Sequence, residues 1–348
     1  MTMDIDEKLR LIKRNTQEII TEEELKKLLE EKKHPVVYIG TSVTGRPHIG
    51  YFAWTQKLAD LLKAGFKVKV LLADIHGALD NTPWELLEKR YKYYEIVIPA
   101  MIEAMGADLK NFEIVKGSDF QLDKQYMMDI LKMSTLASVR DLNRAASEVV
   151  KQGDNPKLSG LIYPIMQALD EEYLGVDMQI GAIDQRKILV FAREFLPQIG
   201  YRSRLELMIP FIRGLTQEGK MSSSVKNSKI DLIDDEKTIK DKLKGAYCLE
   251  GDPENGVLEF AETVIMTQKS DKGEEFVIER PEKWGGNLVF KTREDLRNAF
   301  VNKQLHPMDL KNGVAKEINL LLRPIRHKFK GKEHLIEEAY GDKVVIVD

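Results

Sequence analysis

The sequence predicts an α/β protein: a doubly wound, largely parallel sheet followed by a mainly helical module. Two observations carry that expectation. Short apolar runs of strand length alternate with amphipathic stretches of helical period between residues 36 and 209. Composition then changes after Lys244, where turn-rich segments at 250–256 and 270–274 interrupt a helical pattern.

Residues 4–32 are rich in Glu, Lys, Leu and Ile at helical spacing, and Thr21-Glu22-Glu23-Glu24 fits a capping box opening a second helix. Two helices on the outside of the fold are expected. A buried strand at 36–39, a helix at 49–64 closed by Gly65 and a strand at 67–73 form a β-α-β unit, whose short crossover forces parallel, right-handed pairing. A long helix follows from Pro83 to Met105, with proline in its first turn, and 112–115 makes the next strand. Residues 123–150 read as helical, and the methionines at 127, 128 and 133 suit either core or a subunit contact. A helix at 158–174, a strand at 176–180, a helix ending near Leu196 and a strand at 205–209 complete the alternation. Ligands of such a sheet bind at the carboxyl ends of its strands, near the point where strand order reverses. Beyond a boundary near 230, a hairpin is expected around Trp284-Gly285-Gly286-Asn287 and a final helix from Pro307 to about Phe329. The tail 331–348 leaves two alternatives open, an irregular end or a short edge strand through 344–347.

The length of 348 residues suits about two domains, each with its own core. With 43% hydrophobic and 31% charged residues the composition is that of a soluble globular protein. Cys248 is the one cysteine, so no internal disulfide forms and the cytosol is the default compartment. No apolar run approaches the roughly 18 residues that span a bilayer, and the first residues carry both signs of charge, unlike a secretion signal. A net charge of −3 gives no global basic field. Arg323, Arg326, Lys328, Lys330 and Lys332 form a local basic run, read as a solvated helix end. Neither a Gly-x-x-x-x-Gly-Lys loop nor a metal-ligand cluster is legible.

Two loops carry chemistry. In the first, Tyr38-Ile39-Gly40-Thr41-Ser42-Val43-Thr44-Gly45-Arg46-Pro47-His48-Ile49-Gly50-Tyr51, the run His48-Ile49-Gly50 falls where a strand hands over to a helix. Unpaired backbone N–H groups and the positive helix end face outward there, and glycine lets an anion approach the main chain. The second, Gly219-Lys220-Met221-Ser222-Ser223-Ser224, is a glycine-hinged cation followed by hydroxyls. Each alone also fits an ordinary polar loop. Asp184 fits either a helix cap or an acceptor for ribose hydroxyls. Tyr163, Gln167 and Asp170 recur at i, i+4 and i+7 on one helix face, which is either a pocket wall or a polar surface.

The order and separation of the two loops resemble the paired signatures of class I aminoacyl-tRNA synthetases. Tyr38, the run 163–170, the run Gly181-Ala182-Ile183-Asp184-Gln185-Arg186-Lys187, the run 220–224, Trp284-Gly285-Gly286, and Leu305-His306-Pro307-Met308-Asp309-Leu310-Lys311-Asn312 together resemble the tyrosyl-tRNA synthetases of archaeal and eukaryotic type, over about residues 8–330. The resemblance implies a Rossmann-like catalytic domain over 1–230, with a helical insertion and dimer contact near 81–150. It also implies an anticodon-binding domain over 231–330. The positions matching Tyr38 and Asp170 hold the phenol of L-tyrosine, and those matching Tyr163, Gln167 and Gln185 surround its ammonium. ATP, with its accompanying Mg²⁺, falls to Gly40, His48, Gly50, Asp184, Lys220, Met221, Ser222 and Ser223, with His48 and Lys220 catalytic. Trp284 and His306 flank the first anticodon base of tRNA(Tyr) and Asp309 accepts its hydrogen bonds. A homodimer is implied, and no membrane.

With ATP on the first loop, the compatible reaction is attack of a carboxylate on the α-phosphate with release of pyrophosphate, which needs positioning and charge stabilisation more than covalent help. The sequence departs from the family pattern at Tyr51, where the class signature has a second histidine, and at Ser223, where it has a second lysine. Residues 41–44 follow the eukaryotic variant. A tryptophanyl relative and a catalytically silent RNA-binding paralogue are the alternatives. Asp170 facing Tyr38 argues against the first, and retention of His48, Gly50, Asp184 and Lys220 together argues against the second.

Overall fold

The computed structural model describes residues 3–150, 155–217, 219, 221 and 228–346. It divides into two compact units. One comprises Met1–Thr44, Lys57–Ile96 and Ala107–Pro210, the other Gly45–Gln56, Val97–Gly106 and Phe211–Asp348.

The chain opens with helix α1 (Ile5–Lys13), strand β1 (Glu18–Ile20) and helix α2 (Glu22–Glu31). The Thr21 side chain accepts from the Glu24 N–H at 3.2 Å, which is half of the expected capping box, while the Glu24 carboxylate turns to Arg193; such a cap contributes about 1 kcal/mol. Strand β1 was not foreseen. Three residues are too few to show a period, and only antiparallel pairing of Ile19 with Leu207 makes them a strand.

Strands β2 (Val36–Ser42), β3 (Lys67–Ala73), β4 (Phe112–Lys116), β5 (Met178–Ala182) and β6 (Leu205–Ile209) follow. They form the predicted doubly wound sheet, in the order β1-β6-β5-β2-β3-β4, with every pairing parallel except that of β1. Order reverses between β2 and β5, so the carboxyl ends of those two strands bound the expected crevice. Strand β5 begins two residues later than anticipated, and just before it the Asp177 carboxylate accepts the Val36 N–H at 3.0 Å.

Between the strands lie helices α3 (Phe52–Lys63), α4 (Asp74–Leu79), α5 (Trp84–Ala104), α6 (Lys124–Ser134), α7 (Val139–Ala146), α8 (Ser159–Tyr173) and α9 (Arg186–Phe195). The stretch expected to be helical over 123–150 contains two helices. Ser138 and Asp141 form a reciprocal capping box that starts α7 afresh. Of the methionines there, Met133 is core, whereas Met127 and Met128 are exposed. Helix α8 is buried over most of its length, from Tyr163 to Glu171, so its polar stripe is a pocket wall and not a surface.

The second unit contains helices α10 (Glu236–Gly245), α11 (Gly256–Phe260) and α12 (Met266–Lys272), the last two joined by a π-helical turn over Ala261–Ile265. Strands β7 (Phe276–Ile278) and β8 (Leu288–Phe290) pair antiparallel and are the predicted hairpin. Helices α13 (Arg293–Val301), α14 (Pro307–Phe329) and α15 (His334–Tyr340) complete it. Phe260, Phe276, Phe300, Leu310, Ile318 and Phe329 are buried there. Neither alternative for the tail foresaw α15, which buries Ile336; residues 341–346 form no strand, and Val347 lies outside the described residues.

Candidate active site

In the first unit a pocket opens at the carboxyl ends of β2 and β5, lined by Tyr38, Gly40, Ser42, His76, Tyr163, Gln167, Asp170 and Gln185 among others. Tyr38 on β2 is fully buried, beside Leu71, Ala73, Leu174 and Val176. Its hydroxyl donates to the Gln167 carbonyl at 3.1 Å. The Tyr163 hydroxyl lies 3.3 Å from Ser42 Oγ, and burial pushes its pKa up to about 12. At the closed end sits Asp170, whose Oδ1 accepts from Gln121 Nε2 and from the Tyr126 hydroxyl, both at 2.8 Å. Burial raises the carboxyl to about 8, against those two hydrogen bonds.

Gln121, Tyr126 and His76 escaped sequence reasoning. They lie 49, 44 and 94 positions from Asp170, arrive on separate elements and fit no common period. The Tyr126 hydroxyl also contacts the Met166 carbonyl at 2.8 Å, which ties α6 to α8. His76 stands in the first turn of α4, its ring edge-on to Tyr163 with centroids 4.6 Å apart.

Gln185 closes the opposite wall from the 3-10 turn Ile183–Gln185. A Cβ on Gly181 would come within 2.7 Å of the Gln185 side-chain oxygen, so glycine makes room for it. Gly40 is different: a Cβ there meets only ordinary contacts at 3.9 Å or more. Asp184 is half-buried in the same turn. The residue flanking α9 is Gln185, so Asp184 is not the cap of that helix.

The second unit holds His48, Gly50 and Met221. His48 is buried and flanks the 3-10 turn Ile49–Tyr51, where its Nδ1 accepts from the Gly50 N–H at 3.2 Å. Burial, and then the positive charge of Lys229, push the imidazole down to about 3. A neutral ring with an accepting Nδ1 carries its proton on Nε2, which is therefore a donor. A Cβ on Gly50 would lie 2.9 Å from the His48 ring and 3.4 Å from Met221 Cβ, so that turn tolerates no side chain. The segment is pinned by the Ile49 N–H donating to the Ile230 carbonyl at 3.0 Å and by an Arg46–Asp231 ion pair at 2.7 Å. Arg46, Lys229 and Asp231 are further residues that spacing did not single out. Lys220, Ser222 and Ser223 lie outside the described residues.

Further along the same unit, Trp284 is 67% exposed at the hairpin turn, with Lys283 Nζ 5.5 Å from its ring centre. His306 caps α14, its Nδ1 accepting from the Met308 N–H at 3.1 Å. Asp309 lies in the first turn of that helix, 3.8 Å from Arg280, which in turn donates to the Gly286 carbonyl at 2.9 Å. Arg280 thus links the hairpin to the first turn of α14, where Asp309 follows the capping His306. Among the described residues no group of three or more His, Cys, Asp or Glu side chains could hold a metal, and no helix is long and apolar enough to cross a membrane.

Residues 30–323 match the family model described as tRNA synthetases class I (W and Y). The chain is 49% identical to the cytoplasmic tyrosine-tRNA ligase of Gallus gallus over 94% of its own length, and spans 62% of the length of that relative. It is 48% identical to the cytoplasmic tyrosine-tRNA ligase of Saccharomyces cerevisiae, covering 97% of this chain and 88% of the other. Among solved structures, the tyrosyl-tRNA synthetase of Archaeoglobus fulgidus complexed with L-tyrosine superposes with a TM-score of 0.87 at 41% identity, covering 93% of this chain and 99% of that one. On sequence and architecture together, the chain belongs to the tyrosyl-tRNA synthetases of class I.

Proposed function

We propose that the chain activates L-tyrosine with ATP to tyrosyl-adenylate and transfers the tyrosyl group to tRNA(Tyr), releasing AMP and pyrophosphate. The observation that carries this reading is Asp170: a buried carboxyl, held by two donors on one oxygen, at the closed end of a small pocket walled by Tyr38, Tyr163 and Gln167. A phenolic hydroxyl, which both donates and accepts, can pair with the other carboxyl oxygen. Tyr163, Gln167 and Gln185 face the amino-acid ammonium. A tryptophan indole has less need of two polar partners at that end, which favours tyrosine over the tryptophan relative.

ATP is assigned to Gly40, His48, Gly50, Asp184, Lys220, Met221, Ser222 and Ser223, with Mg²⁺ accompanying its phosphates. The Nε2–H of His48 suits a phosphate oxygen, and Lys220 neutralises charge developing on pyrophosphate, where stabilisation lowers the barrier. The substrate carboxylate attacks the α-phosphorus, a P–O bond forms, and the bond to pyrophosphate breaks. In the second step a ribose hydroxyl at the tRNA end attacks the activated carbonyl and AMP leaves.

Residues 1–230 are read as catalytic and 231–330 as anticodon-binding, with Trp284 and His306 stacking on a base and Asp309 reading its edge. The exposed apolar side chains of Leu122, Met127, Met128, Leu131, Leu136 and Val139 suit a homodimer contact within 81–150. The cytoplasm is the proposed compartment, by likeness to relatives named cytoplasmic. Pyrophosphate exchange measured without tRNA, with tyrosine, tryptophan and phenylalanine in turn, tests the assignment. Tyrosine alone should support rapid exchange; a preference for tryptophan, or no exchange with any of them, overturns it.

A further inference from the structure

Arg46 stands two residues before His48, and the protein itself neutralises its charge. Its Nε donates to Asp231 Oδ2 at 2.7 Å, and its Nη1 lies 3.4 Å from the half-exposed carboxylate of Asp342. With two carboxylates on one guanidinium, little charge is left to draw a phosphate. Asp231 is 1% exposed; burial raises its carboxyl, and Arg46 is the foremost of the groups that oppose the rise. A carboxylate so deeply buried keeps its charge only beside a close cation.

The main chain meets at the same place. His48 and Asp231 form an isolated antiparallel bridge, the Ile49 N–H donates to the Ile230 carbonyl at 3.0 Å, and Lys229 Nζ donates to the Arg46 carbonyl at 3.5 Å. Asp231 is also fixed from its own side. Its N–H donates to Asp234 Oδ2 at 2.7 Å, its Oδ1 accepts from the Ile233 N–H at 3.3 Å, and Asp234 accepts from Lys242 of α10 at 2.5 Å. The segment that grips the His48 turn is therefore the one that leaves the Lys220 loop. A single bridge between Gly45 and Gly50 does little to prevent a slip of one residue, which would turn the His48 side chain to the opposite side. The ion pair makes that slip costly, because it would leave Asp231 buried without its cation.

We infer that the Arg46–Asp231 pair is a positioning latch for the nucleotide step, fixing the register of the His48 turn against the segment that leaves the Lys220 loop and so aiming the His48 Nε2–H. Arg46 acts through His48 and touches no reacting atom. The inference rests on the assignment of ATP to that turn given above and adds what holds the turn in place.

The test is tyrosine-dependent pyrophosphate exchange at varied ATP, together with tyrosine binding by equilibrium dialysis. Arg46→Met should lower kcat/KM for ATP by roughly 10- to 100-fold, the effect of a misplaced group, and leave the tyrosine dissociation constant within about twofold. Arg46→Lys keeps a cation beside Asp231 and should recover most of the rate. Asp231→Asn preserves the native shape and should lose rate in the same direction, so it carries the comparison if Arg46→Met does not fold. Asp342→Asn removes only the exposed partner and should stay within about twofold of wild type.

The deciding measurement repeats Arg46→Met and Asp231→Asn in a His48→Ala background. If the pair works by aiming His48, each should then add less than about threefold to the loss already caused by His48→Ala. A loss undiminished in that background, a parallel loss of tyrosine affinity, or a larger effect of Asp342→Asn than of Asp231→Asn overturns the inference. A His48→Ala protein with wild-type ATP kinetics shows instead that the nucleotide assignment has failed, and the latch with it.

Discussion

The Tyr38 hydroxyl donates to the main-chain carbonyl of Gln167 at 3.1 Å, joining the central strand of the sheet to the middle of the pocket helix. That bond is structural before any ligand arrives. Tyr38→Phe removes that bond while the mid-helix carbonyl keeps its helical partner, and should cost about 0.5–1.5 kcal/mol in urea unfolding without ligand. Tyrosine selectivity should fall less than in Asp170→Ala, by pyrophosphate exchange against phenylalanine.

Asp170 makes the unliganded protein sensitive to alkali. Its folded pKa of about 8 stands above the ordinary value of 3.8, so between these values the folded state keeps a proton that the unfolded chain has shed. Its contribution is fully present below pH 4 and is lost as pH rises toward 8. Glu171 and Glu206, also buried and raised, act in the same direction. Asp170→Asn removes only its own share. The variant should gain on the order of 3 kcal/mol relative to wild type between pH 5 and pH 8 in denaturant titrations. Parallel stability curves for the two proteins would refute the titration.

Lys220 should act on the transition state more than on the ground state. Lys220→Ala is expected to slow tyrosyl-adenylate formation by roughly 10²-fold or more, with tyrosine affinity little changed, in single-turnover measurements. Normal turnover with weakened tyrosine binding would make the loop a holder of substrate only.

On the proposed reading Trp284 and Asp309 serve a different step. Replacing either by Ala should leave tyrosine-dependent pyrophosphate exchange nearly unchanged while lowering aminoacylation, since a lost base stack costs about 1–3 kcal/mol. Equal loss in both assays would contradict the division of labour between 1–230 and 231–330.

The exposed apolar face of α6 should be covered by a second copy. Leu131→Glu, at a position 59% exposed, should shift the protein toward monomer in sedimentation velocity while leaving its thermal unfolding within a few degrees. An unchanged mass would place the dimer contact elsewhere.

The sequence by itself determined the alternation of strands and helices, because an apolar run of strand length and a 3.6-residue period are local properties. β3, α8 and α14 fall within a residue or so of where periodicity puts them. It also determined which positions could carry chemistry: Tyr163, Gln167 and Asp170 share a helix face whatever that helix packs against. Only the tertiary structure decided that this face is buried and not wet. Strand β1 exists because β6 offers an edge, and the break before α7 comes from one capping box. The frame of Asp170 was illegible for a related reason. Tyr126, Gln121 and His76 reach the carboxyl from α6, the turn before it and α4, and hydrogen bonds between such elements leave no mark in local spacing. Their donors and acceptors acquire meaning only once burial removes water as the alternative partner.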